Sequence, residues 1–211
     1  MSLRDRRVQY ETAGLDRADL SESPFAQWHR WYDEALQAGV AEPNAMTVST
    51  IASDDAPDSR VVLARGVSSD GIVFYTNYES AKSAQLERRP VASAVFAWLD
   101  LHRQVRVRGS VRRVPDAESD EYFASRPRES QIGAWASPQS EVITDRAILE
   151  RSFAAESERF AGRVVPRPPH WGGWVIIPQE FEFWQGRPNR LHDRFRYRIA
   201  NGTWVIERLA P

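Results

Sequence analysis

The stretch AMTVSTIASDDAPDSRVVLARGVSSDGIVFYTN, residues 45–77, decides the fold class. It holds three runs rich in Val, Ile, Thr and aromatic residues, AMTVSTIAS, RVVLARGV and IVFYTN, separated by DDAPDS and SSDG, whose Asp, Pro, Ser and Gly carry turn chemistry. Two hairpins in series are expected. The same texture returns downstream. A short helix, SAKSAQLERR, is stopped by Pro90, and VASAVFAWL and QVRVRGSVRRV follow as strands. In the second of these Val105, Val107 and Val111 alternate with Arg106, Arg108 and Arg112, the period of two that buries one face and leaves the other wet or bound. WVIIP, EFEFWQG, RFRYRIA and TWVIERLA close the chain, and Asn201-Gly202 between the last two is a strong hairpin signal.

Helical patterns are inserted among these strands. Ser23-Pro24 reads as an N-cap and first helical position, and Phe25, Trp28, Trp31, Tyr32, Ala35 and Leu36 recur at helical spacing until Gly39. Residues 116–125 and 144–160 also read as helices, the second capped by Thr144 with Ile148, Leu149, Phe153 and Phe160 on one side. About seven short, largely antiparallel strands without regular βαβ alternation favour a mainly β, α+β architecture. A closed antiparallel barrel with helical additions fits better than a doubly wound sheet. Residues 23–211 form one domain, because no Gly/Ser-rich or Pro-rich linker divides them. Residues 1–22, polar and aperiodic, read as an N-terminal arm that orders only against something else.

Composition narrows the function. The 211 residues carry a net charge of -1, which argues against coating nucleic acid or an anionic membrane. With no cysteine there is no disulfide, thiolate nucleophile or zinc ribbon, and redox chemistry needs a bound organic cofactor. No apolar run approaches bilayer length and the first residues lack a signal-peptide core, so a cytoplasmic location is expected. His29, His102, His170 and His192 show no metal-ligand spacing, and GxSxG, GxGxxG and Walker loops are absent. No metal is expected. Of the 28 basic residues 27 are arginine, and Lys82 is the exception.

Polar residues gather at 60–65, 75–82, 104, 122–140 and 184–194. A phosphate suits that distribution, since it takes charge-assisted donors from several segments and arginine offers a bidentate fork. In YFASRPRES, Tyr122, Arg126 and Ser130 lie four apart, one side of a continuous helix. Pro127 interrupts that helix, so their convergence requires a bent helix-turn-helix.

Several segments taken together carry a likeness: RVVLAR at 60–65, FYTN at 74–77, SAK at 80–82, RQVRVRG at 103–109, YFASRPRESQIGAWAS at 122–137, Gln139-Ser140 and EFWQGRPNRLHDR at 182–194. The chain resembles the pyridoxine (pyridoxamine) 5′-phosphate oxidases, flavin enzymes of the split-barrel fold. That resemblance implies an antiparallel FMN-binding split β-barrel and a homodimer, with FMN in a cleft between subunits and residues of both chains holding it. Arg60, Val61, Val62 and Leu63 would border the flavin, with Arg60 and Lys82 serving its phosphate. Arg65, Tyr75, Thr76, Gln104, Gln139, Ser140, Trp184 and Arg194 would complete the cofactor site. Tyr122, Arg126 and Ser130, with Arg65, would grip the substrate phosphate, while Arg190, Leu191 and His192 lie over its pyridine ring. Arg190 and His192 are the implied catalytic pair, orienting C4′ towards flavin N5. Arg7 and Tyr10 match a segment that closes over the site in relatives.

The implied reaction oxidises pyridoxine 5′-phosphate and pyridoxamine 5′-phosphate to pyridoxal 5′-phosphate with O2, releasing H2O2, and ammonia from the amine, in vitamin B6 biosynthesis or salvage. Two positions depart from the family: Arg65 stands where lysine is usual, and Ala81 where arginine is usual, which removes a donor to the FMN phosphate. Three other readings compete. A related flavin oxidase acting on another ring, of the phenazine type, would tend to lose Tyr122, Arg126 and Ser130, which are present here. A non-catalytic FMN- or pyridoxal-phosphate-binding protein would have no use for Arg190 and His192. An RNA-binding barrel on the Arg106, Arg108 and Arg112 face would want aromatics between the arginines.

Overall fold

The computed structural model describes residue 10 and residues 14–211. Helix α1 (Pro24–Gln37) starts as its sequence dictates, with the Ser23 hydroxyl accepting from the Ala26 N–H, and it turns Trp28, Trp31 and Ala35 inward. Strands β1 (Ala45–Ile51) and β2 (Pro57–Leu63) form one hairpin, and β3 (Gly66–Ser68) and β4 (Gly71–Asn77) a second. Helix α2 (Ala81–Arg88) leads to β5 (Val91–Trp98) and β6 (Arg103–Arg113). Helices α3 (Asp116–Ser125), α4 (Arg128–Ala136) and α5 (Arg146–Arg159) precede β7 (Trp171–Gln185), β8 (Asp193–Ala200) and β9 (Thr203–Leu209). No helix among the described residues is long and apolar enough to cross a membrane.

The nine strands make one sheet in the order β2-β1-β5-β6-β7-β4-β3, with β8 on β7 and β9 on β8. Strands β2 and β3 stand at opposite ends of that order, yet only Ala64 and Arg65 connect them, so the sheet must curl until its two edges meet. The connection is pinned on both sides: the Ala64 N–H bonds the Asn44 carbonyl before β1, and the Arg65 N–H bonds Val73 in β4. No ladder joins β2 to β3, so the barrel is split rather than closed.

Inward residues of α1 and of β1 and β4 to β8, among them Trp31, Val48, Phe74, Phe96, Val105, Ile176, Phe183 and Tyr197, fill the barrel. Each contributes roughly 1.5–3 kcal/mol by leaving water. Phe123, Ile132, Phe160, Val165 and Trp171 form a second, smaller core beneath the helical insertion.

Several expectations need correction. Among the described residues the strands number nine rather than about seven. RVVLARGV breaks between Leu63 and Gly66 because the chain crosses there from one sheet edge to the other, and WVIIP and EFEFWQG are one strand, β7. Strand β7 pairs along one side with β6, and along the other first with β4 and then with β8. The cap of α5 is Asp145, whose carboxylate accepts from the Ala147 N–H at 3.0 Å, and not Thr144. The segment after residue 14 packs on the body of the domain: Leu15 and Leu20 are buried, the Leu15 N–H bonds Asp193, and Asp16 pairs with Arg208 of β9. Arg7 lies outside the described residues.

The long β7 tolerates Pro178 because the β6–β7 register slips between Arg108 and Gly109, a bulge where no ladder N–H is required of proline. Gly109 faces that slip so closely that a Cβ would stand 1.9 Å from the Ile177 carbonyl oxygen. Gly109→Ala should therefore destabilise the fold by about 1–3 kcal/mol, read as a lower denaturant midpoint with an unchanged m-value.

Candidate active site

A cavity of about 810 Å3 opens where β2, β4 and α2 face the helical insertion. It gathers Arg60, Val61, Val62, Leu63, Arg65, Tyr75, Thr76, Lys82, Tyr122, Arg126, Ser130, Gln139 and Ser140 on its walls. Every one of them was expected in the cofactor or phosphate site.

Lys82 sits in the first turn of α2 and is buried. Its Nζ donates to Thr76 Oγ1 at 3.1 Å, Ser80 Oγ at 3.2 Å and Gln139 Oε1 at 3.2 Å, all neutral acceptors. Burial pulls the ammonium down to about 8, the nearby Arg60 charge adds to the effect, and Asp58 opposes it. Arg60, in contrast, is already neutralised. It donates to Asp58 Oδ2 at 2.6 Å, Thr50 Oγ1 at 2.6 Å and Gln85 Oε1 at 3.1 Å, and Gln85 Nε2 holds the same Asp58 oxygen at 2.8 Å. Of the two cations assigned to one phosphate, Lys82 is the one lacking a counter-charge.

The break between α3 and α4 does what the spacing required. Arg126 is extended (ψ 150°) ahead of Pro127, and the buried Gln131 side chain donates at 3.1 Å to the carbonyls of Phe123, Ala124 and Arg126. That staple adds a donor to the carbonyls at the end of α3 and at the break, and fixes the angle at which Tyr122, Arg126 and Ser130 face the cavity. Arg126 Nη1 is buried with no hydrogen-bond partner. Its guanidinium lies 4.5 Å over the Trp171 ring. Burial lowers its pKa, the Tyr122 phenol opposes this, and the Arg65 charge reinforces it. The Tyr75 phenol, stacked 3.9 Å from Tyr122, is pushed up to about 12, chiefly by burial and next by Glu118, so it remains a donor.

The other expected residues do not line this cavity. Gln104, Trp184 and Arg194 surround a separate pocket of about 220 Å3. Arg194 grips the buried Glu182 with Nε at 2.9 Å and Nη2 at 3.1 Å, and Arg106 joins the same carboxylate at 2.8 Å. The Glu182 hydrogen bond, foremost, raises the Arg194 pKa. His192 packs 4.6 Å from Trp184, and Tyr10 lies 5.8 Å from His192 and 4.2 Å from His102. Arg190 and Leu191 are exposed beside them. The expected residues thus fall into two separate groups on one chain, two candidate half-sites.

His192 has a defined tautomer. The Arg187 backbone N–H donates to its Nδ1 at 3.0 Å, which leaves the proton on Nε2. Burial first, and then the Arg190 charge, hold its pKa below the ordinary imidazole value, with Asp193 opposing. The folded value lies below that of the unfolded chain, which takes up the proton first on acidification. The stability tied to His192 is therefore present above about pH 6.5 and is lost as pH falls through the folded value. The Tm difference between the parent and His192→Asn should narrow between about pH 7.5 and 5.

Features not anticipated surround both halves. Asp58, Gln85 and Glu182 orient the expected arginines, and Trp171 lies against Arg126. Left-handed backbone at His102 (φ 52°), Ser140 (φ 76°), Asn189 (φ 58°) and Arg190 (φ 63°) clusters at the two half-sites. Non-glycine residues seldom hold that conformation unless their surroundings impose it. Only a lone Asn-Arg pair after Pro188 hinted at this in the sequence.

Known proteins share this sequence and this fold. The family model described as pyridoxamine 5′-phosphate oxidase matches residues 32–160, and that of the pyridoxine 5′-phosphate oxidase C-terminal dimerisation region matches residues 171–211. The chain belongs to the pyridoxamine 5′-phosphate oxidase family and is an oxidoreductase. Among its relatives is a pyridoxine/pyridoxamine 5′-phosphate oxidase of Synechocystis sp., 51% identical over 211 residues, covering 100% of this chain and 99% of that one. Its fold is shared with PhzG from Burkholderia lata, solved in complex with tetrahydrophenazine-1-carboxylic acid, at a TM-score of 0.89 and 28% identity, covering 97% of this chain and 100% of that one. A pyridoxamine 5′-phosphate oxidase-related, FMN-binding protein from Nostoc punctiforme has the same fold at a TM-score of 0.70 and 17% identity, covering 91% and 100%.

Proposed function

We propose that this protein oxidises pyridoxine 5′-phosphate and pyridoxamine 5′-phosphate to pyridoxal 5′-phosphate, using FMN and O2 and releasing H2O2, with ammonia from the amine. The observation that carries this reading is a pair of cations on the walls of one cavity, the buried Lys82 and the half-buried Arg126, whose Nη1 has no hydrogen-bond partner. Neither is paired with a carboxylate among the described residues. One phosphate belongs to the cofactor and one to the substrate, and each meets a cation awaiting an anion.

The residues fit FMN in kind. Lys82 and Arg60 would take its phosphate, with Thr76, Gln139 and Ser140 supplying neutral polar groups, while Ala81 contributes no donor. When bound, FMN supplies the hydride acceptor. The protein contributes position and charge. Arg126, Tyr122, Ser130 and Arg65 hold the substrate phosphate, far from the reacting carbon. Binding energy gained there orients C4′, so a substrate lacking the phosphate should lose kcat as well as affinity. His192, neutral with its proton on Nε2, donates a hydrogen bond to the substrate ring region, and Arg190 places a positive charge beside it. The C-terminal dimerisation match supports a homodimer in which Gln104, Trp184, Arg190, His192 and Arg194 of one subunit complete the cavity of the other.

The test is a visible absorption spectrum of the purified protein, followed by pyridoxine 5′-phosphate under air with aldehyde and peroxide measured together. Flavin absorbance with equimolar aldehyde and peroxide is expected. Likeness to PhzG favours a second reading, a tricyclic ring as substrate. Turnover of a reduced phenazine carboxylate but not of pyridoxine 5′-phosphate would select it.

A further inference from the structure

Arg126 is half-buried, and among the described residues no carboxylate holds its guanidinium. Among the described residues it has no ion pair, and its Nη1 has no hydrogen-bond partner. What does hold it is aromatic: its Cζ lies 4.5 Å from the centroid of Trp171 and 5.5 Å from that of Phe123. The indole is itself rigidly set. Trp171 is 6% exposed and lies parallel to Tyr75 (5.5 Å, 7°) and to Tyr122 (6.2 Å, 5°). Its carbonyl accepts from Arg167 at 2.6 Å, and Arg167 also binds Asp116 and Asp120 of α3. Behind it, Gly172 and Gly173 leave no room for movement, since a Cβ would meet Tyr78 Oη at 2.2 Å and Tyr75 Cε1 at 2.8 Å.

We propose that Trp171 is a positioning residue for the phosphate handle, its indole face holding the Arg126 guanidinium flat so that the N–H groups on its cavity side meet the substrate phosphate. This rests on the function proposed above. An aromatic face suits the task better than a carboxylate. It attracts the cation through the ring quadrupole yet offers no competing acceptor to the guanidinium N–H groups. A carboxylate in the same place would neutralise Arg126 and repel the incoming phosphate. The parallel alignment with Tyr122 lets one rigid stack orient both the phenol and the guanidinium of the handle.

The test measures kcat and KM for pyridoxine 5′-phosphate and for pyridoxine, with the Kd of pyridoxal 5′-phosphate and of pyridoxal, in the parent, Trp171→Leu, Trp171→Phe, Arg126→Ala and the Trp171→Leu/Arg126→Ala double variant. In Trp171→Leu the preference for the phosphorylated over the dephosphorylated molecule should fall roughly 5- to 30-fold, the range of a desolvated cation–π contact. The loss should appear in kcat as well as in KM, as it does when the phosphate itself is removed. Trp171→Phe should restore most of it. In the Arg126→Ala background the Leu substitution should no longer change the preference, because the group it positions is gone. An unchanged preference in Trp171→Leu, or an equal further loss in the double variant, would overturn the assignment and leave the proposed function standing. A parent that binds and turns over phosphorylated and plain molecules alike would overturn both.

Discussion

An equimolar mixture of Arg126→Ala and Arg190→Ala, dissociated and reassociated together, should recover about a quarter of the parent's turnover of pyridoxine 5′-phosphate, although each variant alone is nearly inactive. Random pairing makes half the dimers mixed, and each mixed dimer carries one site with neither substitution and one with both. The expectation follows from the separation of the two half-sites. Arg126 lines the cavity of about 810 Å3, whereas Arg190 and His192 stand beside the pocket of about 220 Å3 that holds Gln104, Trp184 and Arg194.

Each half also presents an apolar side chain that a lone chain leaves in water: Val61 is 67% exposed at the cavity and Leu191 69% exposed beside Arg190. Val61 lies on β2, an edge strand, where a partner subunit has access. If both half-sites served one active site within a single chain, mixing would restore nothing, and the turnover of the mixture would equal the mean of the two variants. That result would assign Arg190 to the site of its own chain and overturn the cross-subunit arrangement.

Much of this was legible in the sequence because the relevant signals are local. Turn chemistry placed the hairpins, Ser23-Pro24 placed the start of α1, and Asn201-Gly202 placed the last turn, where both residues adopt positive φ as a two-residue hairpin demands. The break at Pro127 foretold the bent pair of helices. Long-range facts were hidden. Nothing in WVIIPQEFEFWQG states that β7 changes partner from β4 to β8 midway, since that follows from how the sheet curls. The candidate residues were found by resemblance, and their division into two groups by the coordinates. The groups that orient them, Asp58, Gln85, Glu182 and Trp171, read in sequence as ordinary turn, helix and strand residues. Their role lies in contacts that composition and spacing do not reveal, as between Gln85 and Arg60, 25 residues apart, and between Gln85 and Asp58, 27 apart.

Lys82→Met should cost the protein about 10²-fold or more in FMN affinity and, with no ligand present, make it more stable. Both effects come from one fact: a buried ammonium with three neutral acceptors and no carboxylate is a charge held ready for an anion. Methionine keeps most of the volume and removes the desolvation cost, so the ligand-free Tm should rise by about 2–4 °C for each kcal/mol recovered. The pH dependence gives an independent check. The folded value is lowered to about 8 from 10.5, so between those limits the unfolded chain holds a proton that the folded chain has released. Ligand-free parent should therefore gain stability as pH rises through that window, and its Tm difference from Lys82→Met should narrow. FMN affinity should move the opposite way, weakening above about pH 8 because the phosphate must then draw a proton back onto Lys82. If Lys82→Met bound FMN as tightly as the parent across this range, the phosphate would have to rest on other donors, and Arg60, already committed to Asp58, would need to leave its partner to serve it.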